Sequence, residues 1–154
     1  MSPVLYELEW VLPLRQEWLT PLFKGFTFLG FTEFFFLALP ILYWTWHKAA
    51  AHRVTLALLI GAILTYYLKD LFQDPRPAAK YAFDGYRPES YGLPSGHTLL
   101  AIVFWGSIAS ELRTKWATIV CIVLMIGVSF SRLYLGVHDL EDVIGGTIVG
   151  ISLL

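Results

Sequence analysis

Residues 94–110 read PSGHTLLAIVFWGSIAS, a short polar turn followed by an apolar run without a charged residue. Comparable apolar runs recur along the chain. They cover residues 26–46, 54–72, 98–110, 116–131 and 143–154. A helix needs about 20 residues to cross a bilayer, so the first two runs are long enough and the next two need their flanking turns. The pattern predicts an all-α, polytopic membrane helix bundle with about five transmembrane helices.

The composition agrees with a membrane protein. Hydrophobic residues make up 56% of the 154 residues and charged residues 15%, whereas soluble domains carry about 25% charged residues. A formal net charge of -1 excludes a nucleic-acid binder that works through bulk charge. The single cysteine, Cys121, can form neither an internal disulfide nor a thiolate metal site. The length is that of one membrane-embedded domain over residues 1–154.

Residues 1–24 differ from the apolar runs. Charged residues interrupt them, and Pro13 and Pro21 limit any continuous helix. Apolar residues still recur at near-helical spacing, at Val11, Leu14, Trp18 and Leu22. We expect an amphipathic segment in the membrane interface rather than a cleaved signal peptide. The last run is short, so we expect a helix truncated at residue 154 or one sheltered by its neighbours.

Two short connections set the expected orientation. Residues 47–53 and 111–115 each carry two Lys or Arg residues, and they fall on the same side if every run spans. The positive-inside rule makes that side cytoplasmic. Residues 73–93 and 132–137 then face the non-cytoplasmic side, and we expect the chain in a bacterial cell membrane.

Three polar clusters lie on that non-cytoplasmic side. The first holds Lys69 at the end of the second run and Arg76 in a proline-stiffened segment. Lys69 alone would also fit a helix C-terminal cap that snorkels to the interface. The second cluster, residues 94–97, opens the third run. Ser95 is a typical N-cap, and Gly96 leaves the backbone open, which favours an anion site or simply a capped helix start.

The third cluster contains Arg132, His138 and Asp142. On a helix, residues four apart share a face. A carboxylate bonded to one ring nitrogen fixes the tautomer of a histidine and leaves the other nitrogen free as a base or nucleophile. An ordinary ion pair at a helix start is the alternative.

Taken together, the clusters predict a phosphate site. Three converging cations, Lys69, Arg76 and Arg132, require an anion, and phosphate has matching charge and geometry. Two histidines, His97 and His138, then favour phosphoryl transfer by nucleophilic and acid–base catalysis. We expect no cofactor and no metal, because no cluster has the carboxylates that a divalent cation needs.

The three clusters in this order resemble the phosphatidic acid phosphatase type 2 superfamily of membrane lipid phosphatases. The first motif of that family is Lys, six residues, Arg-Pro, which Lys69 and Arg76-Pro77 match. The second is Pro-Ser-Gly-His, which residues 94–97 match. The third is Ser-Arg, five residues, His, three residues, Asp, and residues 131–142 match it.

The resemblance implies a role for each site residue. His138 is expected to be the nucleophile that forms a phosphohistidine, Asp142 to orient it, and His97 to be the general acid and then the base. The phosphate-binding residues are expected to be Lys69, Arg76, Ser95, Gly96 and Arg132. The implied activity is hydrolysis of a lipid phosphomonoester or diphosphate, of the phosphatidic acid, phosphatidylglycerol phosphate or polyprenyl diphosphate class.

Other functions stay open at this point. A lipid phosphotransferase would use the same site, and a lipid-binding or transport protein would need the cations but neither histidine. Soluble vanadium haloperoxidases share the motifs, but the apolar runs argue against them. The expected partners are a lipid phosphate substrate and membrane lipids.

Three further charged residues had no clear role. Glu33 lies inside the first run, and we expect it to face the bundle interior, protonated or paired. Lys80 and Arg87 lie in the connection over residues 73–93 and fit either a headgroup contact or plain solvation, of which we favour solvation.

Overall fold

The computed structural model describes residues 5–154, and all regular structure within them is helical. The six α-helices, in chain order, are α1 (Thr20–Phe28), α2 (Thr32–Thr45), α3 (Lys48–Phe72), α4 (Gly96–Leu112), α5 (Lys115–Tyr134) and α6 (Leu140–Ser152). Short 3-10 turns occur at Leu12–Leu14, Ala79–Tyr81 and Phe83–Gly85. The prediction of an all-α fold is confirmed.

Two helices in the described part of the chain are long and apolar enough to cross a membrane alone, α3 and α5. The pair α1 and α2 passes the same test only together, as one broken span or as a re-entrant loop, and is bent by 57°. With 17 and 13 residues, α4 and α6 fall short of the about 20 residues of a full crossing. These apolar helices indicate a membrane protein. The count of five spans stays a prediction.

The single helix predicted over residues 26–46 is two helices. α1 ends at Phe28, and Phe31 has an extended backbone (φ -78°, ψ 152°) before α2 begins. Gly30 lies at the bend, where a Cβ would come within 2.9 Å of the His97 ring. The missing side chain of Gly30 therefore allows the bend to press directly against the first turn of α4.

One end of the bundle carries the basic connections. α3 begins at Lys48, so most of the connection predicted over residues 47–53 is helical. Arg53 forms an ion pair with Glu111 at the end of α4. This contact joins the two basic connections at the same end of the molecule, as the sequence predicts. Lys69, in the last turn of α3, lies toward the other end.

α4 is the central helix of the bundle, and it packs against α3, α5 and α6. Its buried residues include Leu99, Val103 and Phe104. The outer faces of α3 and α5 instead expose large apolar side chains: Leu56, Leu59, Ile60, Ile63, Ile119, Val120, Val123 and Ile126. Exposed apolar surface of this extent is typical of helices that face lipid.

The N-terminal segment packs partly on the protein. Leu8 and Val11 are fully buried and contact Tyr81 and Leu133. Trp18 is exposed. The predicted interfacial segment over residues 1–24 therefore presents part of its apolar surface to the bundle instead of the membrane interface, and its first four residues lie outside the described residues.

Glu33 does not face the bundle interior, so that prediction is wrong. The structure places it in the first turn of α2, exposed. The free N–H groups and dipole at a helix N-terminus favour a carboxylate there.

Gly146 determines how closely α6 approaches α4. A Cβ at this position would lie 2.6 Å from the backbone oxygen of Ser95 and 3.2 Å from Cβ of Thr98. Small residues allow such approaches between membrane helices, whose association depends on van der Waals contact. The N-terminus of α4 is consequently seated on the first turns of α6.

Gly146→Ala should destabilise the bundle by about 1–3 kcal/mol, because the new methyl group overlaps backbone atoms that cannot move away alone. The measurement is the melting temperature in detergent. Gly25→Ala, on α1, is the matched control, since nothing lies within 4 Å of a Cβ there. Equal melting temperatures for Gly146→Ala and the wild type would contradict this packing.

Candidate active site

Arg76 links the first motif to the third. Its Nη1 donates to the backbone oxygen of Val137 at 2.5 Å and lies 3.2 Å from Nε2 of His138. Its Nε and Nη2 donate to the backbone oxygen and hydroxyl of Ser90, at 2.6 and 3.0 Å. The guanidinium group is thus held from both sides, with one edge toward the His138 ring.

His138 and Asp142 form a buried pair, as predicted. His138 Nδ1 lies 2.7 Å from Asp142 Oδ2, and both side chains are almost wholly buried. The pair does not share a helix, because His138 precedes Asp139, the N-cap of α6. Asp139 and Asp142 form a capping box, in which each side chain accepts from the backbone N–H of the other. The capping box therefore fixes the carboxylate that contacts the histidine.

Gly92 and Lys69 complete the surroundings of Asp142. A Cβ on Gly92 would lie 2.7 and 2.8 Å from the two carboxylate oxygens, so only glycine fits here. Lys69 Nζ donates to the backbone oxygen of Gly92 at 2.8 Å and to that of Tyr91. Lys69 thereby holds the residues just before the second motif against the third.

The second motif begins α4, with Ser95 as its N-cap. The Ser95 backbone N–H donates to the Asp142 backbone oxygen at 2.9 Å, and its hydroxyl accepts from Thr98 at 3.1 Å. The Ser95 side chain makes no cap bond of its own. Gly96 is the first residue of α4, and a Cβ there would lie 3.1 Å from the Thr65 methyl group. The helix start predicted at Ser95 is confirmed. The Ser95 hydroxyl contacts Thr98 instead of a free N–H group of the helix.

His97 occupies the first turn of α4. Its ring lies edge-on to Phe31, with 4.8 Å between the ring centroids. In the described part of the chain its Nε2 is buried without a hydrogen-bond partner. A buried donor or acceptor without a partner is costly, and a catalytic role is one of the reasons why such a group is kept.

Arg132 reaches the same region from the last turn of α5. Its side chain is buried and donates through Nη1 to the hydroxyl of Thr27 on α1. Its backbone oxygen accepts from the N–H groups of Val137 and His138, at 3.2 and 3.4 Å. Arg132 and Phe31 border one cavity of about 180 Å³. Phe31 in turn contacts the His97 ring.

The electrostatics keep the His138 ring neutral. Burial disfavours the protonated ring, and the nearby charges of Arg76 and Arg132 add to that effect, so the pKa of His138 lies well below its usual value. With Nδ1 bonded to Asp142, the lone pair is on Nε2, facing Arg76. The arrangement can bind an oxyanion through its cations and present a neutral, oriented imidazole nitrogen to it.

Contacts thus bring together residues of all three predicted motifs. Lys69, Arg76, Ser95, His138 and Asp142 are linked by contacts to one another or through Gly92. Gly96 follows Ser95 at the start of α4. The backbone oxygen of Arg132 accepts from the His138 N–H, which joins Arg132 to the group. His97 contacts Phe31, and Phe31 borders the same cavity as Arg132.

Sequence reasoning missed several residues at this site. Thr27, Gly92 and Ser90 carried no signal, because each contacts a motif residue that is remote in the chain. Arg87 donates to the backbone oxygen of Arg76 at 3.0 Å, and both line a pocket of about 380 Å³. Lys80 lies elsewhere, paired with Glu9 at the surface at 3.3 Å.

Comparisons with known proteins find a family and relatives for this chain. The model of the PAP2 superfamily matches residues 50–154. The chain is 28% identical over 152 residues to lipid phosphate phosphatase delta of Arabidopsis thaliana, covering 86% of this chain and 36% of that protein. It is 28% identical over 153 residues to phosphatidylglycerophosphatase B of Bacillus subtilis (strain 168), covering 91% of this chain and 74% of that protein.

A solved structure shares the fold. The crystal structure of a transmembrane PAP2 type phosphatidylglycerolphosphate phosphatase from Bacillus subtilis superposes with a TM-score of 0.81 at 26% identity. The superposition covers 95% of this chain and 78% of that one. The likeness therefore includes α1 and α2, which precede the residues matched by the family model.

The pKa of His138 should lie below 6.5 in the wild type and rise in Arg76→Gln, because that change removes a neighbouring cation. Nitrogen-15 chemical shifts of histidine-labelled protein in lipid nanodiscs, recorded over an acid-to-neutral pH series, measure it. Lys80→Gln is the matched control, since it removes a surface cation paired with Glu9. A wild-type His138 that titrates at 6.5 or higher would show that the ring is not held neutral.

Proposed function

Because the chain belongs to the PAP2 superfamily, we propose that it is an integral-membrane phosphatase that hydrolyses a phosphomonoester or diphosphate of a lipid. The observation that carries the proposal is the His138 ring, oriented by Asp142 through Nδ1 and facing Arg76 with Nε2. A protein that only bound phosphate would need the cations but not this oriented nucleophile. The named activities of the plant and Bacillus relatives support the same reaction class.

The first chemical step follows from this geometry. His138 Nε2 attacks phosphorus, the bond between nitrogen and phosphorus forms, and the bond between phosphorus and the leaving oxygen breaks. The new positive charge on the ring is stabilised by Asp142 at Nδ1. His97 gives its proton to the leaving oxygen, and a phosphate dianion bound beside His97 favours the protonated form that this requires.

The second step regenerates the protein. Water attacks the phosphohistidine, and His97 takes its proton. The bond between nitrogen and phosphorus breaks, inorganic phosphate leaves, and His138 returns to its neutral form. Throughout, Lys69, Arg76 and Arg132, with the Ser95 and Gly96 end of α4, hold the phosphoryl oxygens. No step calls for a metal or cofactor.

We further propose five spans, with α4 and α6 crossing by means of their flanking turns. The basic connections joined by the Arg53–Glu111 contact lie at the cytoplasmic end. The candidate site then opens on the non-cytoplasmic face. Relatives occur in a plant as well as in a bacterium. We therefore propose a cell membrane, of no particular kind of organism, as the location.

His138→Ala should lower phosphate release by about 10³-fold or more, because it removes the proposed nucleophile that forms the covalent intermediate. The measurement is phosphate release from a panel of lipid phosphates and diphosphates in detergent, which also identifies the substrate class. His52→Ala, an exposed histidine in the first turns of α3, is the matched control. Substantial turnover in folded His138→Ala would remove His138 as the nucleophile.

Protein quenched in alkali during turnover of labelled substrate should carry a phosphoryl group that is stable in base and labile in acid, as expected for phosphohistidine. Excess chelator should leave both labelling and turnover unchanged. Loss of activity that a divalent metal restores would contradict the metal-free reaction. Transfer of the label to a second lipid, without release of phosphate, would identify a phosphotransferase instead.

A further inference from the structure

The hydroxyl of Thr27 is a buried polar group in an otherwise apolar part of α1. The residue is 6% exposed, and its oxygen accepts a hydrogen bond from Arg132. α1 precedes residues 50–154, the part of the chain that the family model matches. The contact therefore reaches a motif residue from a segment outside the motifs.

Arg132 depends on this contact. It is 3% exposed, and a buried charge is costly unless hydrogen bonds and opposite charges compensate it. Among the residues that the structure describes, Thr27 is the hydrogen-bond partner of its side chain, and its Nε has none. One contact thus fixes the direction of the guanidinium group, and a donor edge remains for a ligand.

The position of Thr27 is in turn set by close packing of α1 on α5. A Cβ on Gly127 would lie 2.4 Å from the Phe26 ring, so the two helices touch next to Thr27. Nearer the start of α1, the Tyr134 hydroxyl lies 3.1 Å from the Thr20 hydroxyl and donates to the Gln16 backbone oxygen at 3.1 Å. The Gly127 contact therefore sets the distance between the two helices beside Thr27, whereas the Tyr134 contacts lie at the far end of α1 from it.

We propose that Thr27 is a positioning residue for the phosphate site, which orients Arg132 toward the bound phosphoryl group. The inference rests on the proposed function, in which Arg132 is a phosphate ligand. The Thr27 hydroxyl accepts from Nη1 of Arg132. It thereby holds the Arg132 guanidinium group at the edge of the cavity that Lys24 and Tyr86 also border. α1 is then a functional part of the site as well as a structural one.

The test measures the dissociation constant of orthovanadate, a phosphate analogue, by titrating the melting temperature of the full chain in detergent. Thr27→Val preserves the shape of the side chain and removes the acceptor. It should weaken binding about tenfold, the loss expected for one hydrogen bond to a charged group. Thr27→Ser keeps the hydroxyl and should stay within about threefold of the wild type.

Thr20→Val is the matched control. It removes a hydroxyl from the same helix and a contact to α5, without touching Arg132. Its melting temperature should fall while vanadate binding stays unchanged. If Thr27→Val does not fold, Thr27→Ala provides the same comparison.

A double-mutant cycle separates positioning from general packing. In an Arg132→Gln background, Thr27→Val should change vanadate binding less than twofold, because the group through which Thr27 acts is gone. An equal loss in both backgrounds, or wild-type binding by Thr27→Val, would overturn the proposal. Vanadate binding needs no turnover. A wild type that binds vanadate but releases no phosphate from any lipid would contradict the proposed function and leave the role of Thr27 supported by the cycle.

Discussion

The buried carboxylate of Asp142 is the constraint on which the rest of the site depends. It accepts from His138 and from the backbone of Asp139, and its backbone oxygen accepts from Ser95. Gly92 lies directly against it. Oδ2 of this carboxylate is bonded to the His138 ring and to the Asp139 N–H, whereas Oδ1 is buried without a hydrogen-bond partner among the described residues. The contacts of Asp142 hold the start of α4, the start of α6 and the connection that contains Gly92 in one arrangement.

The buried charged side chains, Arg132, Asp139 and Asp142, lie at one end of an apolar bundle, and that arrangement links the fold to the proposed chemistry. Burial makes each cation depend on a few fixed partners, which is why Arg76 and Arg132 point in defined directions. Burial also keeps His138 neutral, as a nucleophile must be. A lipid phosphate at the membrane surface would meet cations that are already oriented, which lowers the cost of binding it.

The sequence predicted the helical class, the order of the helices from α2 onward, and the motif residues. It predicted the boundaries less well. The break at Gly30 lies within an apolar run, and hydropathy carries no sign of a bend. Glu33 was misplaced for the same reason, since a run that reads as one helix hides the helix start where a carboxylate is favourable. Arg87 and Lys80 looked alike in sequence, but only Arg87 lies beside Arg76.

By itself, the sequence determined what is local: three motifs whose residue types and internal spacings indicate phosphate chemistry, carried on apolar helices. The pairing of His138 with Asp142 was predicted from helical spacing, although the structure forms it across the capping box at the start of α6. Only the tertiary structure decided that Thr27 supports Arg132 and that Gly92 makes room for Asp142. A threonine or glycine in an uncharged segment has no distinguishing mark, because its partner is far along the chain and the contact exists only when the helices pack.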